Sequence, residues 1–196
     1  MNEPEKQIHY PGNSNTDKYT FENFLVGGSN KFAHAAAHSV ATVVAEGRVN
    51  NNYNPLLIYG KPGLGKTHLL HAMRLYVAEK RPHSNVILVK CDDFLEELIS
   101  AIRKGDFNGF RDKYRSADML LMDDIHFLAG KTATQDEFFS IFDKLYESGK
   151  HIVLTSRIPL SQITQLEKRI VAQFSGGLIA DIQPPALCSA KAPSSH

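Results

Sequence analysis

The sequence predicts an α/β fold in three layers, a five-stranded parallel sheet with helices packed on both faces. Three observations predict it. Apolar runs of four or five residues recur along the chain with little alternation, the pattern of strands buried on both sides. Stretches of helical spacing separate these runs, as crossovers between parallel strands require. A glycine-rich turn, an acidic pair and a Thr-Ser pair each follow one of the runs, and sheets of this kind bind ligands at the carboxyl ends of their strands.

The elements follow in order. Residues 1–18 are polar, include Pro11-Gly12-Asn13-Ser14-Asn15, and read as a disordered leader or linker. Structure is expected from Tyr19-Thr20-Phe21. Ser29 or Asn30 should cap a helix whose apolar face holds Phe32, Ala36, Val40 and Val43. Asn50-Asn51-Asn52 marks a loop. Leu56-Leu57-Ile58-Tyr59 is the first strand and runs into the glycine-rich turn. Residues 67–80 read as helix, with Leu69, Leu70, Met73 and Val77 on one side and Arg81-Pro82 ending it.

Val86-Ile87-Leu88-Val89 is the second strand. Two helices, 93–103 and 106–114, flank Gly105. Met119-Leu120-Leu121-Met122 is the third strand and ends in Asp123-Asp124. Thr134-Gln135-Asp136-Glu137 has the form of a capping box opening the next helix, which carries Phe138, Phe139, Phe142 and Leu145 and ends at Gly149. Ile152-Val153-Leu154 is the fourth strand, followed by Thr155-Ser156. Residues 161–174 read as a helix with some irregularity. Leu178-Ile179-Ala180-Asp181-Ile182 is the fifth strand, and Pro184-Pro185 stops it. One core domain is therefore expected over 19–185, with 186–196 a disordered tail.

Bulk properties narrow the function classes. The chain has 196 residues, 42% hydrophobic and 22% charged, enough for one sizeable core. A net charge of +1 does not argue for strong electrostatic binding of nucleic acid, although a local basic patch is compatible with it. Cys91 and Cys188 make neither a disulfide framework nor a zinc site and read as free thiols. The polar N-terminus carries no secretory segment and no run reaches membrane-spanning length, so a cytoplasmic protein is expected.

Gly60-Lys61-Pro62-Gly63-Leu64-Gly65-Lys66-Thr67 fits G-x-x-x-x-G-K-[ST] between an apolar strand and a helix, the context that gives this pattern meaning. Such glycines let backbone N–H groups face a phosphate, and the helix presents its positive end to the same anion. ATP or ADP is the expected ligand, held by Gly60, Pro62, Gly63, Leu64, Gly65, Lys66, Thr67 and His68. Lys66 would reach the β- and γ-phosphates. The Thr67 hydroxyl and Asp123, at the end of the third strand, would hold Mg²⁺. Asp124 could polarise an attacking water, and Asp124 with Lys66 would make up the catalytic pair. Thr155 could meet the γ-phosphate, with backbone capping the plainer alternative.

Other features carry less. His34 and His38 stand at metal-ligand spacing on a helix, but no third ligand accompanies them. Phe107, Phe110 and Tyr114 interleave with Arg111, Lys113 and Arg115; they read first as an amphipathic helix and second as a surface that stacks single-stranded bases.

Several strings together resemble DnaA, the family of bacterial chromosomal replication initiators. They are Tyr19-Thr20-Phe21-Glu22-Asn23-Phe24, Tyr53-Asn54-Pro55-Leu56, Gly65-Lys66-Thr67-His68-Leu69-Leu70-His71-Ala72, Leu120-Leu121-Met122-Asp123-Asp124-Ile125, Gln135-Asp136-Glu137-Phe138-Phe139 and Leu178-Ile179-Ala180-Asp181-Ile182-Gln183-Pro184-Pro185. The resemblance implies a P-loop NTPase core of the AAA+ class with sheet order 5-1-4-3-2. It implies Mg²⁺-dependent ATP binding, with residues 21–30 bordering the adenine and the helices between about 93 and 114 lining a path for single-stranded origin DNA. It further implies ATP-linked self-assembly that melts the origin, ended by hydrolysis, and contact with the replicative helicase or its loader.

Departures from the family pattern accompany it. Arg169 matches the first of two family arginines, but Gln173 stands where the second, resembling an arginine finger, is expected; glutamine supplies no fixed positive charge. Arg157 stands where the family usually has aspartate. Lys131 keeps a basic position near the acidic pair, while Ala133 replaces an often polar one. The resemblance stops at Pro185, so the helical lid and the helix-turn-helix domain that reads duplex DNA are expected to be absent, with hydrolysis weak. A different role for such a chain is a regulator or decoy that docks on an intact initiator or a helicase loader without hydrolysing ATP itself.

Overall fold

A computed structural model describes residues 18–49 and 51–185. The expected leader (apart from Lys18), the expected tail at 186–196 and Cys188 lie outside them. The described elements are α1 (Lys31–Ala45), β1 (Leu56–Gly60), α2 (Lys66–Lys80), β2 (Val86–Lys90), α3 (Cys91–Lys104), α4 (Phe107–Arg115), β3 (Met119–Asp123), α5 (Thr132–Glu147), β4 (His151–Ser156), α6 (Lys168–Ser175) and β5 (Leu178–Ile182). All strand pairs are parallel, in the order β2-β3-β4-β1-β5. Read from the other edge, this is the expected 5-1-4-3-2.

Burial on both faces explains why the three interior strands β3, β4 and β1 lack alternation, whereas the edge strands β2 and β5 are only partly buried. Leu56, Leu57 and Ile58 of β1, an interior strand between β4 and β5, are all fully buried. Leu56 and Ile58 join α1 and α2 on one face, and Leu57 joins α3, α4, α5 and α6 on the other. The first core is rich in alanine and aliphatics. The second is aromatic: Phe94 meets Phe138 edge-on at 6.0 Å, and Phe138 meets Phe174 at 6.2 Å. Each ring removed from water contributes about 1.5–3 kcal/mol. Cys91, buried in this core, is a free thiol whose pKa burial pushes up to about 12, with Asp92 adding to the effect.

Three expectations are corrected. Asn30 sits at the N-cap of α1 but makes no cap bond; its Oδ1 accepts from Gly27 N at 2.7 Å and its Nδ2 donates to the Leu25 carbonyl, so it braces the preceding turn instead. On the same helix Ala36, Val40 and Val43 are buried, whereas Phe32 is half-exposed beside Tyr53 and Leu178 at the margin of the sheet.

The capping box does not form. Helix α5 starts at Thr132, two residues earlier, and Gln135 and Glu137 turn inward. Gln135 Nε2 donates to the carbonyls of Leu128 and Gln165, and its Oε1 accepts from Glu167 N. Buried loop groups need those partners more than a helix end beside water does.

Residues 161–174 are not one helix. A 3-10 turn at Leu160–Gln162 leads to Gln165 at φ 62, and α6 begins only at Lys168. The bonds from Gln135 hold that irregular stretch in place.

Candidate functional site

The strand registers assemble the site. Met122 lies opposite Leu154, and Tyr59 opposite Ser156, so the loop after β1, the end of β3 and the end of β4 come side by side. Gly60 closes β1 where a Cβ would lie 2.5 Å from the Ile182 carbonyl oxygen, a space only glycine fits. Gly65 adopts φ 93 at the N-cap of α2, and a Cβ there would meet the Phe24 ring at 2.7 Å. The loop therefore curls tightly onto the free N–H groups of the first α2 turn.

Lys66 is 6% exposed, and its Nζ donates to the carbonyls of Gly60 at 2.6 Å and Lys61 at 3.0 Å. Burial holds its pKa below the ordinary lysine value, opposed by the negative charges of Asp124 and Asp123. The Thr67 hydroxyl donates to Asp123 Oδ2 at 2.7 Å. The Thr155 hydroxyl donates to Asp123 Oδ1 and accepts from Asp124 N at 2.9 Å. Lys66, Thr67, Asp123, Asp124 and Thr155, from three separate segments of the sequence, thus form one polar cluster. Ser156 turns away, donating its hydroxyl to the Ile158 carbonyl.

Asp123 is nearly buried, and its oxygens are shared between two hydroxyls. Beside Thr67 it gives two adjacent hard oxygen donors. Among the described residues no three His, Cys, Asp or Glu side chains gather as a metal site. An ion held by Thr67 and Asp123 would take its other ligands from phosphate and water, as Mg²⁺ usually does. The donor set fits that ion.

Asp124 occupies the left-handed region at φ 61, which aspartate tolerates better than most residues. Its carboxylate meets Arg157: Nη2 lies 2.8 Å from Oδ2, and Nε is 3.3 Å from both oxygens. The guanidinium also covers the Phe127 ring at 5.5 Å. His126 Nδ1 lies 3.8 Å from Asp124, too far for a hydrogen bond, and burial lowers the His126 pKa. Arg157 was visible in the sequence only as a departure; its pairing with Asp124, on a different strand end, left no local signal.

A clasp formed by residues 18–30 lies over the loop. His68 Nε2 faces the Thr20 carbonyl at 2.7 Å, so that nitrogen carries the proton, and the His68 ring packs on Tyr19 and Phe24. Phe24 touches Gly65, and Phe21 is buried against His34 and His38. The two helix histidines are packing residues of this clasp. Leu25 is 90% exposed and Val26 53% exposed at its tip.

The stacking reading of α4 is corrected. Phe110 and Tyr114 are buried in the aromatic core. Arg111 reaches both oxygens of Glu137 at 2.7 Å, Lys113 reaches Glu97 at 2.6 Å, and Arg115 reaches the Ser140 hydroxyl at 2.9 Å. The Arg111 guanidinium covers the partly buried Phe107. On α6, Arg169 pairs with Glu167 and Asp136, and Gln173 is half-buried.

A phosphate-type loop and an acidic strand end occur in many proteins, so the family is decided by the whole pattern. The model of the bacterial DnaA ATPase domain matches residues 15–181. The chain belongs to that family. The DnaA chromosomal replication initiator protein of Thermus thermophilus is 52% identical over 170 residues, 87% of this chain and 38% of that protein. The chain spans well under half the length of the curated DnaA relatives it matches. Domain III of the Thermotoga maritima DnaA aligns with TM-score 0.80 and 43% identity, covering 86% of this chain and 68% of that one. A DnaA replication initiator bound to AMPPCP and single-stranded DNA aligns with TM-score 0.79 and 40% identity, covering 85% of this chain and 50% of that one.

Proposed function

We propose that the chain is the ATP-binding domain of a bacterial chromosomal replication initiator, acting with Mg²⁺. The observation that carries this is the Thr67–Asp123 hydrogen bond at 2.7 Å beside the buried Lys66, which puts two metal donors and an ammonium at one helix N-terminus. The DnaA structure that contains AMPPCP supports the same reading.

Each residue then has a role. The backbone N–H groups of Gly63, Leu64, Gly65, Lys66, Thr67 and His68 would surround the phosphates, with Gly60 and Pro62 shaping the turn. Lys66 would exchange its two loop carbonyls for phosphate oxygens, a change its raised free energy as a buried cation favours. Mg²⁺, held by Thr67 and Asp123, supplies neutralisation of the phosphate charge. Thr155 keeps Asp123 oriented and can itself meet the terminal phosphate. Leu25 and Val26, apolar and exposed at the clasp, would cover the base. Asp124 is the carboxylate available to polarise water.

The same reading includes ATP-dependent assembly of copies at the origin, and contact of the α3–α4 hairpin with single-stranded DNA. For that contact the neighbour's bound single-stranded DNA is the support, together with Ile99 and Ile102, which α3 leaves exposed.

Titration with a fluorescent ATP analogue tests the central part. Saturable, Mg²⁺-dependent binding is expected, weakened about 100-fold or more by Lys66→Ala, since a charged phosphate contact contributes about 3 kcal/mol. Absence of saturable binding by the wild-type chain refutes it.

A further inference from the structure

We propose that Arg157 holds Asp124 back from water, so that this site retains ATP and turns it over slowly. The inference rests on the nucleotide reading above and adds a restraint within the same chain.

The pair is built from two strand ends. Asp124 follows β3 and is fixed by its left-handed backbone and by its N–H donation to Thr155. Arg157 follows β4, where Ser156 closes the turn by donating to the Ile158 carbonyl. The guanidinium fork meets both carboxylate oxygens on one side and Phe127 on the other. Nη2 makes the short contact, 2.8 Å to Oδ2, and Nε at 3.3 Å from each oxygen spans the pair, so the cation covers both oxygens of the carboxylate.

The chemistry explains the consequence. In hydrolysis a water oxygen bonds to the γ-phosphorus, while the bond to the bridging oxygen breaks and its electron pair leaves with ADP. One water proton must go to a base, here the Asp124 carboxylate, and from there to solvent. A carboxylate whose two oxygens both face a guanidinium has fewer lone pairs left to accept from that water. Arg157 acts through Asp124 and is a positioning residue.

Single-turnover hydrolysis, with the Kd for ATP measured on each protein, separates the possibilities. The proteins are wild type, Arg157→Ala, Arg157→Lys, Asp124→Asn and the double variant Arg157→Ala with Asp124→Asn. The expected result is a rate about tenfold or more higher in Arg157→Ala, with Kd changed less than about threefold. Arg157→Lys, which keeps the charge and loses the fork, should fall between. The gain should vanish in the double variant. A rate in Arg157→Ala at or below wild type, with ATP still bound, overturns the proposal, as does a gain that survives in the double variant. If no variant and no wild-type protein binds ATP, the nucleotide reading itself fails, and the missing binding distinguishes that failure from a restraint that does not exist.

Discussion

Two arginines in this molecule each reach both oxygens of one carboxylate, and their geometry and surroundings make them different objects. Arg111 joins α4 to α5 through Glu137, whose side chain is 7% exposed and sits over the aromatic core. Arg157 meets Asp124 at the open ends of two strands, where the arginine side chain is 46% exposed and the aspartate 22%. The first pair closes a packing joint; its carboxylate would be stranded without its cation. The second lies among groups that are all arranged to change partners: Lys66 on loop carbonyls, Thr67 on Asp123, Thr155 between two aspartates. Basic residues near carboxylates are therefore not equivalent evidence of a site. What distinguishes a site is that several polar contacts share one place and could each be exchanged for a ligand.

This contrast can be broken most forcefully through the packing side. Phe138→Ala, beneath Glu137 and fully buried, should cost about 3–5 kcal/mol in denaturant unfolding. On the proposed reading, ATP affinity per folded molecule should stay unchanged, because the glycine-rich loop and α2 pack with the other core. Asp123→Asn should do the reverse. It should weaken Mg²⁺-dependent nucleotide binding about tenfold to a hundredfold, about 1.4–3 kcal/mol, while titration without Mg²⁺ changes little.

Next comes the direct test of the two forks. Glu137→Gln should lower stability by about 1–2 kcal/mol, since it leaves Arg111 poorly paired at a half-buried joint. Asp124→Asn should leave the unfolding midpoint where it is, the expectation for a solvent-facing pair. Equal losses in both would erase the distinction.

The smallest effect concerns pH. Burial lowers the pKa of His34, His71, His126 and His151 from the ordinary 6.5. Above that value each is neutral both folded and unfolded, so stability is flat. As pH falls below it the unfolded chain takes up protons first, and stability drops until the folded pKa values are reached. Denaturant unfolding at about pH 7 and about pH 5.5 should differ, with the acid sample the less stable. A more stable acid sample would show that these rings gain partners when charged.

Much of the fold was legible because short apolar runs bounded by turn signals leave a plain mark, at the edge of the sheet as well as inside it. Leu178–Ile182 was readable to the residue, since an apolar run stopped by two prolines allows little else. The tight turn after β1 was legible because its glycine spacing is itself the local conformation, with Gly63 at φ 80 and Gly65 at φ 93. The strand order was not in the apolar pattern at all; it came with the resemblance to the family. Illegible features depend on distant partners. Thr134 to Glu137 has the local form of a helix start, but Arg111 and the carbonyls around Gln165 claim those side chains. The Arg157–Asp124 fork and the contact of Phe24 with Gly65 join segments that no window of sequence connects.

The most direct test is a structure determined with an ATP analogue and Mg²⁺. The triphosphate should lie on the N–H groups of residues 63–68, with Lys66 Nζ moved from the Gly60 carbonyl to a phosphate oxygen and the metal between Thr67 and Asp123. A nucleotide bound elsewhere, or Lys66 still on Gly60 with Thr67 still donating to Asp123 at saturating ligand, would contradict an ATP-binding initiator domain.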